Sequence, residues 1–409
     1  MKKIITLIFI FAITTISIHR VFAVTGSDTE KEDTSSNEEV KEESTDTSSS
    51  LNLASNAKSA IMIEASTGKI IFEKNSKEKL AMASMTKMMS LLLIMENIEN
   101  GNIKWNEMVT ASENASSMGG SQIFLQTGEQ MSVEDLVKGI CIASGNDATV
   151  AMAERIGGTE ENFVKMMNDK AKELGLQNTH FVNSYGFDAD DHYSSAYDMA
   201  MIAKELVKHK KILEFSGTYE DYLRKDTANS FWLVNTNKLV RYYSGADGLK
   251  TGFTDKAMYC LTATAKKNNM RLITVVMGEP NSTTRSSETA TMLDYGFNTY
   301  KLDTILSSKK ILSKSKINLG EKETVNVVAK EDITILNKNT DGKRNVTYKL
   351  KLDTIKAPVK IGDKVGKIEV IENDQIIMEI TATVDANIKK ANIFTIYLRD
   401  LKDIISGMI

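Results

Sequence analysis

Eight residues, Met88–Met95 (MMSLLLIM), constrain this chain more than any other segment. The run exceeds usual strand length and is apolar on almost every side, so it reads as a helix that other elements must cover. Strand-like patterns lie on either side of it. Ala60–Ala65 and Lys69–Phe72 flank a turn at Ser66-Thr67-Gly68, and late strands fall at Met258–Ala265 and Arg271–Met277. Helical periodicity marks Ser132–Lys138, Ala148–Ile156, Asn162–Leu174 and Tyr197–Lys208. Strands at both ends with helices between them predict a mixed sheet completed by distant segments, with a helical insert. Beyond about residue 310 the texture turns β-rich, at Thr324–Val328, Asn345–Leu350 and Gln375–Val384, with Asn373-Asp374 as a hairpin turn. This second region holds no cluster of reactive side chains. A length of 409 residues suits two domains plus tails.

Both ends carry their own signals. Lys2 and Lys3 precede an apolar stretch from Ile4 to Ile18, and Val21-Phe22-Ala23 offers a cleavage site after Ala23. This predicts a signal peptide over 1–23 and a protein working outside the membrane; an uncleaved N-terminal anchor is the alternative. Residues 24–50 are Ser, Thr and acidic side chains with hardly an apolar group, too little to offset ordering entropy, and are expected to form a disordered spacer. At the C-terminus, Phe394, Tyr397, Leu398, Leu401, Ile404, Ile405 and Met408 form one apolar stripe on a helix, with Arg399, Asp400, Lys402 and Asp403 opposite. Such a helix either lies in a membrane interface or packs on its own domain.

Charge excludes some functions. The formal net charge is -3; the spacer's nine acids against Lys31 and Lys41 give about -7 and the leader's Lys2, Lys3 and Arg20 give +3, so the folded body is near +1, close to neutral. No concentrated basic face points to nucleic acid. Two cysteines, Cys141 and Cys260, are too few for a disulfide scaffold and read as buried thiols or a single bridge. Neither their spacing nor the four histidines suggest a metal site, and no cofactor is implied.

Chemistry concentrates in three short elements: Ser84-Met85-Thr86-Lys87, Ser144-Gly145-Asn146 and Lys250-Thr251-Gly252. Ser-x-x-Lys recurs elsewhere, but only Ser84 directly precedes the buried helix, where it gains the N-terminal field and has Lys87 one turn on. A serine is a poor nucleophile until a base takes its proton. Burial and the like charge of Lys250 would keep Lys87 neutral enough to be that base. Ser144 can relay the proton to a departing amine, and Asn146 can hold a substrate amide. Lys250 and Thr251 offer a cation and a hydroxyl to a terminal carboxylate, Gly252 permits close backbone approach, and the N–H groups of Ser84 and Phe253 form an oxyanion hole.

At these residues the chain resembles the low-molecular-weight penicillin-binding proteins that are serine D-alanyl-D-alanine carboxypeptidases. The likeness extends to Ala60–Gly68, Ala143–Ala148 (ASGNDA), Asn183–Phe187, His192–Asp198 and Gly245–Thr254 (GADGLKTGFT). It implies an α+β fold: a β-lactamase/transpeptidase-like domain (an antiparallel sheet with flanking helices) over 51–305, a small all-β domain over 306–388, and an amphipathic helix over 389–409. It implies that Ser84 is acylated by a peptidoglycan stem pentapeptide with loss of the terminal D-alanine, with Lys87 as base and Ser144 as proton relay. Asn146, Lys250, Thr251, Gly252, Phe253 and Arg285 would bind substrate, Arg285 through its carboxylate. β-Lactam antibiotics would be covalent inhibitors, and the C-terminal helix would rest on the outer face of the cytoplasmic membrane. Tyr185 and Phe187 stand where the family often has other residues, commonly leucine for Phe187. Cleavage of cross-links by the same residues, or a silent wall-binding or penicillin-sensing role, are the alternatives. No match appears to the glutamate loop that lets class A β-lactamases activate water.

Overall fold

The structure is a computed structural model describing residues 51–342 and 344–407. The expected signal peptide and spacer, and the last two residues of the C-terminal segment, lie outside the described residues. Two strands come first, β1 (Ser59–Glu64) and β2 (Ile70–Lys74). Buried Glu64 closes the turn between them by accepting the backbone N–H and the hydroxyl of both Ser66 and Thr67. A 3-10 turn, Ala83–Thr86, then runs directly into α1 (Lys87–Glu99). Every residue of α1 from Lys87 to Met95 is buried, as a run apolar on all sides requires.

The middle of the chain is mostly helical. It comprises β3 (Met108–Thr110), α2 (Glu113–Ser116), β4 (Gln130–Ser132), α3 (Val133–Ala143), α4 (Asn146–Gly157), α5 (Glu160–Glu173), α6 (Ala196–Leu206) and α7 (Lys210–Ser216). Ser112, Ser132, Thr159 and Ser195 each cap a helix by accepting a backbone N–H three residues on. A hairpin follows, β5 (Glu220–Leu223) and β6 (Phe231–Val234), then the short α8 (Leu239–Tyr242). The long strands β7 (Ala246–Thr254), β8 (Met258–Lys267) and β9 (Met270–Glu279) and the helix α9 (Ser282–Thr299) complete the first part.

The central sheet runs β2-β1-β9-β8-β7. Every neighbouring pair is antiparallel, so the mixed sheet expected from strand placement alone is corrected. The reason is local: β7, β8 and β9 follow one another through tight connections, which only antiparallel neighbours permit. Alternation then buries both faces. Ile61, Ile63, Ile273 and Val275 face the helical layer around α1, while Met62, Leu272 and Leu261 face α9 through Met292 and Leu293.

The remainder is β10 (Tyr300–Leu306), β11 (Ser313–Lys316), β12 (Thr324–Ala329), β13 (Ile333–Lys338), β14 (Val346–Leu352), β15 (Gly366–Glu372), β16 (Gln375–Val384) and α10 (Ile393–Ser406). β10 crosses the junction expected at 305/306 and pairs with β13. The other five strands form a sheet in the order β11-β12-β16-β15-β14 over a separate apolar core. Asn373 and Asp374 join β15 to β16 with φ of 49° and 63°, the paired positive values that a two-residue hairpin turn demands. Among the described residues, no helix is long and apolar enough to cross a membrane.

Candidate active site

Ser84 sits in the 3-10 turn, one turn before Lys87 at the head of α1. The preceding Ala83 holds a φ of 47°, a region that costs a residue with a Cβ and recurs at functional sites. A chain of side chains supports it. The Val182 N–H donates to His192 Nδ1, which leaves Nε2 of the neutral ring as the donor to Thr86 Oγ1, 2.9 Å away. Thr86 in turn donates to the Ala83 carbonyl. Burial, with the neighbouring His180, lowers His192 to about 4, so this tautomer persists at neutral pH.

Lys87 is fully buried. Its Nζ lies 2.7 Å from Asn146 Oδ1, 2.6 Å from the Tyr185 carbonyl and 3.0 Å from Ser84 Oγ. The first two are acceptors only, so they take the two hydrogens of a neutral amine and leave its lone pair toward Ser84. Burial and then the charge of Lys250 hold Lys87 well below the ordinary lysine range, against the opposing pull of Asp147.

Asn146 opens α4 and bridges two walls, taking Lys87 on its oxygen and donating Nδ2 to the Gly119 carbonyl. Ser144 ends α3 in the left-handed conformation (φ 64°). Its buried hydroxyl has no partner among the described residues. Leaving such a group unpaired costs about 1–3 kcal/mol, which a fold tolerates where a reacting molecule completes the bond.

β7 forms the facing wall. Lys250 is buried and donates to the Thr251 carbonyl, and the Thr251 hydroxyl meets that of Thr236 at 2.7 Å. Burial, chiefly, lowers Lys250 to about 7; Arg285 adds to this and Cys141 opposes it. A Cβ on Gly252 would stand 2.7 Å from the Met82 carbonyl and 3.3 Å from the Ser84 nitrogen, so glycine is what lets the strand pass beside Ser84. The same holds for Gly186 (φ 100°), whose Cβ would fall 2.0 Å from the Ala83 carbonyl. Phe253 keeps its half-exposed ring against Tyr259, centroids 4.4 Å apart. Arg285, buried in the first turn of α9, faces the Tyr259 ring at 6.0 Å; its Nε has no partner among the described residues.

The structure therefore brings Ser84, Lys87, Asn146, Lys250, Thr251 and Gly252 together, with Arg285 acting on Lys250 through its field. Sequence reasoning missed the Tyr185 carbonyl, the His192–Thr86 link and Asp147. The Asp147 carboxylate accepts the N–H groups of Ile123, Leu125 and Ala148 and so fixes the loop beside Asn146. An acid in the first turn of a helix was the available signal. Cys141 and Cys260 are free, buried thiols. Among the described residues no group of acids, histidines and cysteines is arranged to hold a metal.

Residues 2–281 match the D-alanyl-D-alanine carboxypeptidase family, and residues 300–390 match the C-terminal domain of penicillin-binding protein 5. The chain is 48% identical to the D-alanyl-D-alanine carboxypeptidase DacF of Bacillus subtilis, covering 86% of this chain and 90% of that one. Penicillin-binding protein 5 of Haemophilus influenzae superposes with a TM-score of 0.64 at 31% identity, over 82% of this chain and 98% of the other. An ampicillin-bound penicillin-binding protein of Listeria monocytogenes gives 0.54 at 29% identity, over 59% and 98%. With its central antiparallel sheet, its following β domain and this match across most of its length, the chain belongs to the serine-type D-alanyl-D-alanine carboxypeptidase family.

Proposed function

We propose that the protein is a serine D-alanyl-D-alanine carboxypeptidase that removes the terminal D-alanine from peptidoglycan stem pentapeptides outside the cytoplasmic membrane, and that β-lactams acylate the same serine. The observation that supports this most is the setting of Lys87: buried, its hydrogens taken by Asn146 and Tyr185, and 3.0 Å from Ser84 Oγ. In this reading Ser84 Oγ attacks the penultimate carbonyl while Lys87 Nζ accepts its proton. The N–H groups of Ser84 and Phe253 stabilise the oxyanion, and the Ser144 hydroxyl relays a proton to the departing amine. Asn146 holds the peptide amide, and Lys250, Thr251 and Arg285 hold the terminal carboxylate beside Gly252. Water then hydrolyses the acyl ester, with Lys87 again as base. The relatives named as D-alanyl-D-alanine carboxypeptidases, and the one in an ampicillin-bound form, agree with it.

Work outside the membrane fits the leader at 1–23, and α10 is the candidate contact with the membrane surface. Its residues Phe394, Tyr397, Leu398, Leu401, Ile404 and Ile405 are all exposed. The helix is held to its own domain from the opposite side, where Arg399 donates to the carbonyls of Gly320 and Glu321. The apolar stripe is thus left exposed, as an interfacial helix requires.

The test is D-alanine release from a pentapeptide ending in D-Ala-D-Ala. The wild-type chain should release it and Ser84→Ala should not, while Lys87→Ala should slow acylation roughly 10²–10⁴-fold. No release with Ser84 still labelled by penicillin would favour cross-link cleavage or sensing. Neither release nor label would overturn the reading.

A further inference from the structure

One concavity lies apart from Ser84 and Lys87, neither of which lines it. A pocket of about 650 Å³ lies between α10 and the second β sheet. Lys316 and Lys356 line it from the domain, and Arg399 and Lys402 from the helix, with Glu323 the carboxylate among the described lining residues. Arg399 is engaged by Glu323 and by the two carbonyls that anchor α10. Among the described residues, Lys356 and Lys402 enter no ion pair. Leu319 and Ile396 give the pocket an apolar floor. At 100° per residue, Lys402 stands at the margin of the exposed stripe, next to Leu398, and Ile396 and Arg399 continue round to the domain side.

We propose that this pocket binds the phosphate headgroup of an anionic phospholipid, so that the β domain and α10 clamp one lipid between them. This rests on the reading of α10 as an interfacial helix but goes further, because two of its four cations belong to the domain. A helix lying in the interface with its stripe down carries its flanks at headgroup level. That places Lys402, which lines the pocket, where phosphates are concentrated, with the apolar stripe alongside for the rest of the lipid. A soluble anion needs the cations alone. A lipid uses the cations, the apolar floor and the adjoining stripe together, and this is why the pocket is assigned to a lipid.

Sedimentation of the full mature chain with vesicles tests it. Binding to phosphatidylglycerol/phosphatidylcholine vesicles should exceed binding to pure phosphatidylcholine. Lys356→Ala should weaken the former roughly fivefold, the contribution of one lysine near an anionic surface, and leave the latter unchanged. Lys356→Arg should restore it, and a thermal melt checks that each variant is folded. Equal binding of wild-type and alanine variant to the anionic vesicles overturns the clamp while leaving the helix reading intact. Failure to bind any vesicle overturns both. Tight binding of inorganic phosphate to the soluble protein, with no added affinity for anionic vesicles, makes the pocket a phosphate site and overturns the lipid assignment.

Discussion

Two lysines buried within one site set the behaviour at the scale of single residues. In the proposed mechanism Lys87 acts only when neutral, so activity should rise with pH through its depressed value. In the same mechanism Lys250 acts only when charged, so kcat/KM should fall as it discharges, at about 7 in the free protein. A guanidinium keeps its charge, so Lys250→Arg should carry the falling limb of the pH–rate profile to higher pH. The same residue burdens stability. Between about 7 and the ordinary lysine range the unfolded chain binds a proton that the folded one has released, so stability rises with pH across that window. Lys250→Met should therefore raise the unfolding free energy at neutral pH, by roughly 1–4 kcal/mol on the scale of buried charges replaced by apolar groups, while abolishing turnover. Ser84 and Lys87 were legible in the sequence because one helical turn joins them. The His192 support of Thr86 was not, since a hydrogen bond between positions so far apart leaves no mark in either local pattern.

Between elements, the site depends on close approach. Gly186→Ala would force a Cβ into the Ala83 carbonyl at a positive φ, and should cost at least about 1–3 kcal/mol in urea unfolding and slow penicillin acylation as the Ser84 turn is displaced. Asp147→Ala would leave the Ile123 and Leu125 N–H groups unpaired, costing about 1–3 kcal/mol for each that stays buried. Because that loop carries the Gly119 carbonyl that orients Asn146, KM should rise more than stability alone explains. Helix positions, the opening hairpin and the Asn373-Asp374 turn were readable from periodicity and turn chemistry. Strand direction was not. Tight turns settle β7, β8 and β9, but β1 takes its direction beside β9 from a pairing that no local window contains.

For the molecule as a whole, the C-terminal helix gives a clean separation. Leu401 and Ile404 are exposed in the soluble fold, so Leu401→Ser and Ile404→Ser should leave the thermal midpoint unchanged. Each should weaken vesicle binding by about tenfold or more if the lost side chain contributes roughly 1.5–3 kcal/mol in lipid. The stripe itself was legible; the side from which the domain grips it was not, because the Gly320 and Glu321 carbonyls lie in a distant turn. The placement of β1 carries a last consequence, for the order of assembly. β1 is an interior strand, with Ile61 opposite Val275 of β9. It leaves the ribosome early, yet one of its edges waits until nearly the whole first part of the chain has followed. Its six residues, all buried in the finished protein, must meanwhile be kept from other partners. Folding is therefore expected to be slow and governed by this long-range closure, and a chain halted before β9 would possess Ser84 and Lys87 without the completed sheet.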